Sequence, residues 1–594
     1  MNELKMTPTE NSIALRQGDF QSLAEALDYA AEGTTGINFY SGKGALEASV
    51  SYTQLRQGAR SLASKLLGLG LKRGERMALV ADTDADFVRF FFACQYAGLV
   101  PVPLPAAVHL GGRQAVIENL RKLLVSCGAK AAMSSSSFYP FLVDAVDGLN
   151  LDHVGEPAFF DALPEADLPL QHPRPDEVAY LQYTSGSTRF PRGVVITQKS
   201  VMANLEGIIR NGLGVRPGDR CTSWLPFYHD MGLVGFLLAP MASQLSIDYL
   251  STRDFAMRPR LWPALISRNR ATISYSPTFG YALCARRIRP NEIERYDLSS
   301  WRIAGTGAEP IRADILDRFA RLLEPAGFHS RAFVASYGMA ECSLAVSFAP
   351  LGKGLVIDRI SAETLAENGT AVPVEESRCS RETKELVFCG APLPGHEIEI
   401  RDEQGRVLPE RRCGVLHVRG PSVMSGYLGD HESTREVLSS DGWLNTGDLA
   451  YLADGQVIIT GRKKDMIIIN GRNIWPQDIE FIAEQMPEIR SRDAAAFSTG
   501  GVGEDEAVVL VVQCRQFRQF DEMERDRLVE ALRGRVREEF GIDCMVELVP
   551  PAHPAANIIR QDIKNHGTGR FSPPQPGSVP SPPAVCRPDR ELAA

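Results

Sequence analysis

The feature that most constrains this chain is a repeated switch of period. RMALVA (Arg76–Ala81) is a continuous apolar run, DFVRFFFACQYAG (Asp86–Gly98) follows with helical spacing, and LVPVPL (Leu99–Leu104) is apolar again. Short continuous runs of this kind mark strands buried on both faces, and their alternation with helices points to a parallel, doubly wound α/β sheet. The texture returns in EVAYLQYT (Glu177–Thr184), GVVITQ (Gly193–Gln198), the helical stretch Lys199–Leu213 and ATISYSP (Ala271–Pro277). From Pro350 to Leu386 the chain turns polar and weakly periodic, as an insertion or long excursion does. Short strands with turn signals then run from Glu385 to Leu428, predicting a small β-rich subdomain. A second boundary is expected near Gly461, where GRKKDMIIINGRN holds one strand-like run between polar ends. Beyond it, helix and strand patterns predict a compact α+β domain of about 90 residues. The stretch from Ser572 is rich in Pro and Ser and reads as a disordered tail.

With 594 residues, 44% of them apolar and 23% charged, the chain can bury several cores. A formal charge of −9 argues against a dedicated nucleic-acid binder, which carries a basic footprint. Eleven cysteines form no CxxC pair. Reduced, mostly buried thiols in a cytoplasmic protein are therefore expected, not a disulfide framework or a zinc site. The N-terminus lacks the apolar core of a signal peptide. The most apolar segment, Met231–Ile247, is interrupted by Gly232, Gly235 and Pro240 and short for a membrane span, so it reads as a buried helix beside an apolar cavity. No integral membrane association is expected.

The chemistry-bearing signal is Tyr183 to Gly193, YTSGSTRFPRG, in which four Ser/Thr hydroxyls, two glycines and two arginines sit between two predicted strands. Small residues let backbone N–H groups approach an anion, while hydroxyls and guanidinium groups add donors, so the loop is suited to phosphate. It is not a GxxxxGK[ST] loop: the nearest attempt, Gly193–Ser200, has Gln198 in place of the second glycine.

TSGST followed by PRG resembles the phosphate loop of the adenylate-forming superfamily. Further matches follow in order: WLPFYHDMGLVG (Trp224–Gly235), GTGAEPI (Gly305–Ile311), SYGMAE (Ser336–Glu341), TGDL (Thr446–Leu449) and GRKKDMIIINGRNIWPQDIE (Gly461–Glu480). Arg189 and Arg192 stand where many relatives have Gly and Lys. With YHDMGL, GAEPI and NIWPQDIE, this is the flavour of the fatty acyl-AMP ligases.

That resemblance implies a luciferase-like fold. An adenylation domain would span 10–460, with an insertion at 351–384 and a β-rich subdomain at 385–460; a mobile lid would span 461–550, with 551–594 an aberrant tail. It implies ATP and Mg²⁺ as cofactors, a fatty acid as substrate, and an acyl carrier protein or a polyketide or peptide synthase carrier domain as acceptor. Thr184, Ser185, Gly186, Ser187 and Thr188 would cradle the phosphates. Glu341 would hold Mg²⁺, with Arg192 and His229 beside the reacting groups. Tyr337 would stack on adenine between Ser336, Gly338 and Met339, with Gly307, Ala308 and Glu309 along the base. Asp448 would accept the ribose hydroxyls, backed by Arg462, and Lys464 would be the hinge. Asp230, Met231, Leu233 and Phe279 would contact the acyl substrate. The insertion is thought to hinder the rotation that admits CoA. A fatty acyl-CoA ligase and a nucleotide-binding remnant remain as alternatives.

One element of the family is missing. Its C-terminal lysine normally sits in a motif like LPxTSSGK, whereas this chain reads AHPAANIIRQDIKNHGTGRF after Pro551, with Lys564 its only lysine there. Codons can be chosen for Pro551–Arg570 so that reading one base further on yields PHTLPQTSSGKISKTTARA. A single-base shift of frame near Val549–Pro551 is therefore expected.

Overall fold

The computed structural model describes residues 13–106, 112–184, 191–375, 383–469, 472–490, 493–499 and 507–550. The core of the expected phosphate loop, 185–190, and everything from residue 551 onward, including the Pro-rich segment and Lys564, lie outside the described residues.

Two sheets carry the alternation seen in the sequence. Arg76–Ala81 pairs in parallel with Val100–Pro105 and with Ala131–Met133, and His153–Gly155 completes the four. The connecting helix Ala85–Ala97 begins where the Asp84 carboxylate accepts the Phe87 N–H at 2.8 Å, and stops at Gly98, whose φ of 68° favours glycine. Nearly all of it from Phe87 to Ala97 is buried, as its apolar circumference requires. The larger sheet has nine strands. Its middle runs parallel through Phe333–Gly338, Ile303–Thr306, Ile273–Tyr275, Arg220–Ser223, Ser246–Leu250 and Gly36–Tyr40. Antiparallel strands close both edges.

Four local expectations change. Val178–Tyr183 and Gly193–Thr197 form an antiparallel hairpin, because the short loop between them cannot make a parallel crossover. The apolar segment is helical over Asp230–Leu233, passes through a wide turn at Val234–Leu238 and ends as helix at Ala242. Gln244, at φ 53°, then turns the chain so that Ile247 lies in the strand Ser246–Leu250. The polar excursion is not shapeless: Ile357–Ser361 pairs antiparallel with Thr383–Val387, and helix Ala362–Asn368 follows the first strand. Near Gly461 the expected strand is present as Ile467–Ile469 but gains a partner. Gln456–Arg462 ends in one tight turn, Lys463–Asp465, and a separate hairpin, Ile467–Ile469 with Arg472–Ile474, begins beyond it.

The β-rich part is a four-stranded antiparallel sheet in the order Glu397–Arg401, Gly414–Arg419, Leu444–Ala453, Gln456–Arg462. From Ile467 onward a distinct core gathers Ile467, Ile479, Val508, Leu510, Leu528 and Leu532. Strands Ala494–Thr499, Ala507–Gln513 and Cys544–Val549 pack there with helices Pro476–Glu484 and Glu522–Phe540. The nine described cysteines are all free thiols and eight are buried. Among the described residues no helix is long and apolar enough to cross a membrane.

Candidate active site

Adjacent parallel strands Ile303–Thr306 and Phe333–Gly338 end side by side, with Thr306 in register with Ala335. Ligands of open α/β sheets bind beyond such carboxyl ends. The chain leaves the first strand through Gly307, where a Cβ would lie 2.7 Å from the Ser336 carbonyl oxygen, so only glycine permits the approach. Ala308 follows at φ 66°, and the Glu309 Oε1 accepts the Phe279 N–H at 2.7 Å. From the second strand the Tyr337 hydroxyl donates to Asp448 Oδ2 at 2.6 Å. The other oxygen, Oδ1, accepts from Arg462 Nε at 3.0 Å. Cross-strand register puts Asp448 opposite Arg462, and the Asp448 N–H donates to Thr446 Oγ1 at 3.0 Å.

Asp448 is 5% exposed. Burial lifts its carboxyl above the ordinary aspartate value, while Arg462 and the Tyr337 hydroxyl pull it back. The charge of Asp448 in turn raises Arg462, and burial beside the same carboxylate drives the Tyr337 phenol far up. These groups face a cleft of about 1060 Å³ whose lining includes Ala308, Glu309, Ser336, Tyr337, Gly338, Asp448 and Arg462. Gln477, Phe481 and Arg535, from the C-terminal helices, line its far side.

A second corner lies at Glu341, on the single turn Ala340–Cys342 just past Tyr337. Its Oε1 accepts the Tyr427 hydroxyl at 2.8 Å. The Arg192 guanidinium stands 5.0 Å over the Tyr427 ring, with Nε 3.8 Å from Asp430. Thr184 donates its N–H to the Arg192 carbonyl at 3.1 Å, closing the hairpin of Val178–Tyr183 and Gly193–Thr197. Ser185, Gly186, Ser187 and Thr188 lie outside the described residues. Burial raises the Glu341 carboxyl, the Tyr427 hydrogen bond opposes this, and Asp230 and Arg462 act on it from either side. Electrostatics thus joins the Glu341, Asp448 and Asp230 corners. Among the described residues no group of three or more His, Cys, Asp or Glu side chains is arranged to hold a metal. One half-buried carboxylate near Arg192 fits a hard cation that takes most of its ligands from phosphate and water, as Mg²⁺ does.

At the third corner His229 Nδ1 lies 2.7 Å from Asp230 Oδ1. Crowding by the protein pushes the imidazole down, but the charge and hydrogen bond of Asp230 together outweigh this and raise it. Met231 and Leu233 are buried behind it. Phe279 meets Trp224 edge-on at 5.7 Å between centroids, and the Met339 sulfur lies 3.9 Å from the Tyr337 hydroxyl. Lys464 occupies the turn between Arg462 and the C-terminal hairpin, next to Lys463, which pairs with Glu403 at 3.3 Å. Of the expected site residues, Thr184, Arg192, His229, Asp230, Met231, Leu233, Phe279, Gly307, Met339, Glu341 and Lys464 are not among the residues lining the cleft. Sequence reasoning missed Tyr427, Arg312 and Lys384. Arg312 stands 4.2 Å over the Phe481 ring and Lys384 is 2.7 Å from Asp478. No motif or period marks any of them.

The sequence profile of the AMP-binding enzymes matches residues 30–428. A Caulobacter vibrioides protein with the provisional name acyl-CoA synthetase is 46% identical over 548 residues, 92% of this chain and 94% of its own. The medium-chain-fatty-acid–acyl-carrier-protein ligase JamA of Moorena producens is 33% identical over 511 residues, 83% of each chain. A solved structure from a study of fatty acyl-adenylate ligases of E. coli and L. pneumophila is 48% identical, with a TM-score of 0.88 over 93% of this chain and 99% of that one.

Proposed function

The chain belongs to the AMP-binding family of adenylate-forming ligases, and on that premise we propose that it activates a fatty acid for a carrier protein. The carboxylate attacks the α-phosphorus of ATP in line, pyrophosphate leaves, and the acyl group passes from the adenylate to a phosphopantetheine thiol. The observation that carries this reading is Asp448, an ionisable acceptor held by Tyr337 and Arg462 in one cleft. Each of its oxygens keeps a further lone pair for a ribose hydroxyl. Tyr337 is the ring for adenine, with Gly307, Ala308 and Glu309 along the base edge and Ser336, Gly338 and Met339 around it. Thr184 to Thr188 hold the phosphates.

The reaction brings two anions together, so positioning and positive charge do most of the work. Arg192 serves the phosphates and Arg462 steadies Asp448. His229, polarised by Asp230, faces the acyl carboxylate, and Met231, Leu233 and Phe279 hold the chain. Glu341 would hold Mg²⁺, which when bound neutralises phosphate charge.

The segment 351–384 is, in this reading, the family's insertion. It supports carrier transfer over CoA transfer: its Leu365 and Ile360 share a core with Trp475, and Lys384 at its end pairs with Asp478. These contacts oppose rotation of a lid spanning 461–550 about Lys464. The name of the Caulobacter relative favours a second reading, a fatty acyl-CoA ligase. Mass spectrometry of products from ATP, Mg²⁺ and mixed fatty acids, run with CoA and with a carrier protein bearing its phosphopantetheine arm, separates them. Acyl-AMP and acyl-carrier protein, without acyl-CoA, are expected; accumulating acyl-CoA establishes the second reading. The missing LPxTSSGK lysine belongs to the same proposal. Sequencing the gene across the codons for Val549–Pro551 tests the frame shift, which an intact frame encoding this tail in a fully active enzyme refutes.

A further inference from the structure

Tyr427 belongs to none of the motifs behind this reading, yet it touches two of the groups those motifs supply. Its backbone is stitched to the strand that follows the phosphate loop: Val195 N–H donates to the Gly426 carbonyl at 3.0 Å and Leu428 N–H to the Gly193 carbonyl at 2.8 Å. Three residues earlier, Met424 N–H donates to the Glu341 carbonyl at 2.8 Å. Tyr427's own N–H donates to Thr434 Oγ1 at 2.9 Å. The main chain is thus held from both sides, and the side chain has little freedom to leave. Its hydroxyl donates to Glu341 Oε1 at 2.8 Å and its ring lies 5.0 Å beneath the Arg192 guanidinium. The hydroxyl thus fixes the orientation of the Glu341 carboxylate. A cation over an aromatic face is held in orientation as well as in place.

We propose that Tyr427 is a positioning residue, which fixes one oxygen of Glu341 with its hydroxyl and seats Arg192 on its ring, so that carboxylate and guanidinium meet the triphosphate in a set relation. The proposal rests on the reading of Glu341 as the metal-side carboxylate and Arg192 as a phosphate group. It assigns Tyr427 no contact with the reacting atoms.

Binding of α,β-methylene-ATP to the full chain, measured by calorimetry with and without Mg²⁺, tests it. Tyr427→Phe keeps the ring and loses only the hydroxyl. It is expected to lose about 10-fold in Mg²⁺-supported affinity, the cost typical of removing a partner that orients a metal ligand, with metal-free affinity unchanged. Tyr427→Leu removes the seat as well and is expected to weaken metal-free binding too. A residue needed only for folding would lower both affinities together, and in both variants alike. Glu341→Gln is the reference. If it loses the Mg²⁺-dependent gain while Tyr427→Phe keeps it or binds more tightly, the role of Tyr427 is overturned. If Glu341→Gln itself keeps the gain, the reading of Glu341 fails and the proposal goes with it.

Discussion

On one side of the cleft Asp448 is 5% exposed, set in cross-strand register with Arg462 and bonded to a tyrosine at the end of a central parallel strand. On the other side Phe481 is 37% exposed and is met by a single guanidinium, that of Arg312, which also lies 3.5 Å from Glu484. The first wall is continuous with the main core; the second belongs to the separate core that begins at Ile467. Polar links between them among the described residues include Arg312 to Glu484 and Lys384 to Asp478. Exposed or half-exposed ion pairs of this kind contribute about 0–1 kcal/mol each. Trp475 is the exception, buried among Ile360, Leu365, Phe388 and Tyr451. The lesson is a division of labour. The Asp448 wall is built into the main core, and the opposing wall is tied to it by ion pairs and one buried tryptophan.

The comparison predicts that damage to the two walls reads out differently. The largest effect concerns the tail beyond Pro550 and catalysis alone. A chain carrying the LPQTSSGK frame in place of residues after Pro550 is expected to release pyrophosphate about 10²–10³-fold faster than this one, the usual worth of one group that stabilises transition-state charge. Nucleotide affinity should change little. Equal rates for the two chains in a pyrophosphate-release assay would mean the tail does not lack a catalytic group.

Damage to the first wall should instead appear in binding. Asp448→Asn replaces a charged acceptor of two hydrogen bonds and is expected to weaken ATP binding about 10- to 100-fold, since hydrogen bonds to charged groups contribute roughly 1.5–3 kcal/mol. Proton linkage sharpens this. The Asp448 carboxyl sits above its ordinary value because it is buried, and Arg462 holds it down. Ribose recognition needs the ionised form, so affinity should fall as pH drops through a value higher than that of an exposed aspartate. Arg462→Gln removes the restraining charge and should move this acid limb to higher pH. Calorimetry across the weakly acidic range checks the sign; an unmoved limb would show that Asp448 is not the titrating acceptor.

How much of this was legible beforehand follows the same division. The parallel sheets are local in origin: the run Arg76–Leu104 carries strand, helix and strand in its own period, and the structure keeps all three. Asp448 and Arg462 stood out as residue types in TGDL and GRKK. The contact of Asp448 with Tyr337 joins strands of two different sheets, 111 residues apart, which no local pattern encodes. The excursion was opaque for a related reason. Ile360 and Leu365 are its few apolar anchors, and their partners Tyr451 and Ile458 lie far along the chain, so no period of its own reveals the strand and helix. Tyr427 was invisible altogether: it is one aromatic in an irregular segment, and its partner Glu341 is 86 residues away. The hairpin at Val178–Thr197 is different, because the shortness of its loop was in plain view and excluded the parallel pairing.

The smallest predicted effect tests the tie between the walls directly. Lys384 is 12% exposed at its side chain, pairs with Asp478 at 2.7 Å and lies 4.0 Å from the Trp475 ring centroid. Lys384→Met keeps most of the apolar stem and deletes the charge, so packing is spared while both the ion pair and the cation–π contact go. About 1 kcal/mol of attachment should be lost, far too little to unfold either core. Backbone hydrogen exchange is expected to rise several-fold in helix Pro476–Glu484 and its neighbours, with the strands around Asp448 and Tyr337 unchanged. A matching rise on the Asp448 side would mean that the two walls open as one unit, and that the contrast drawn between them is false.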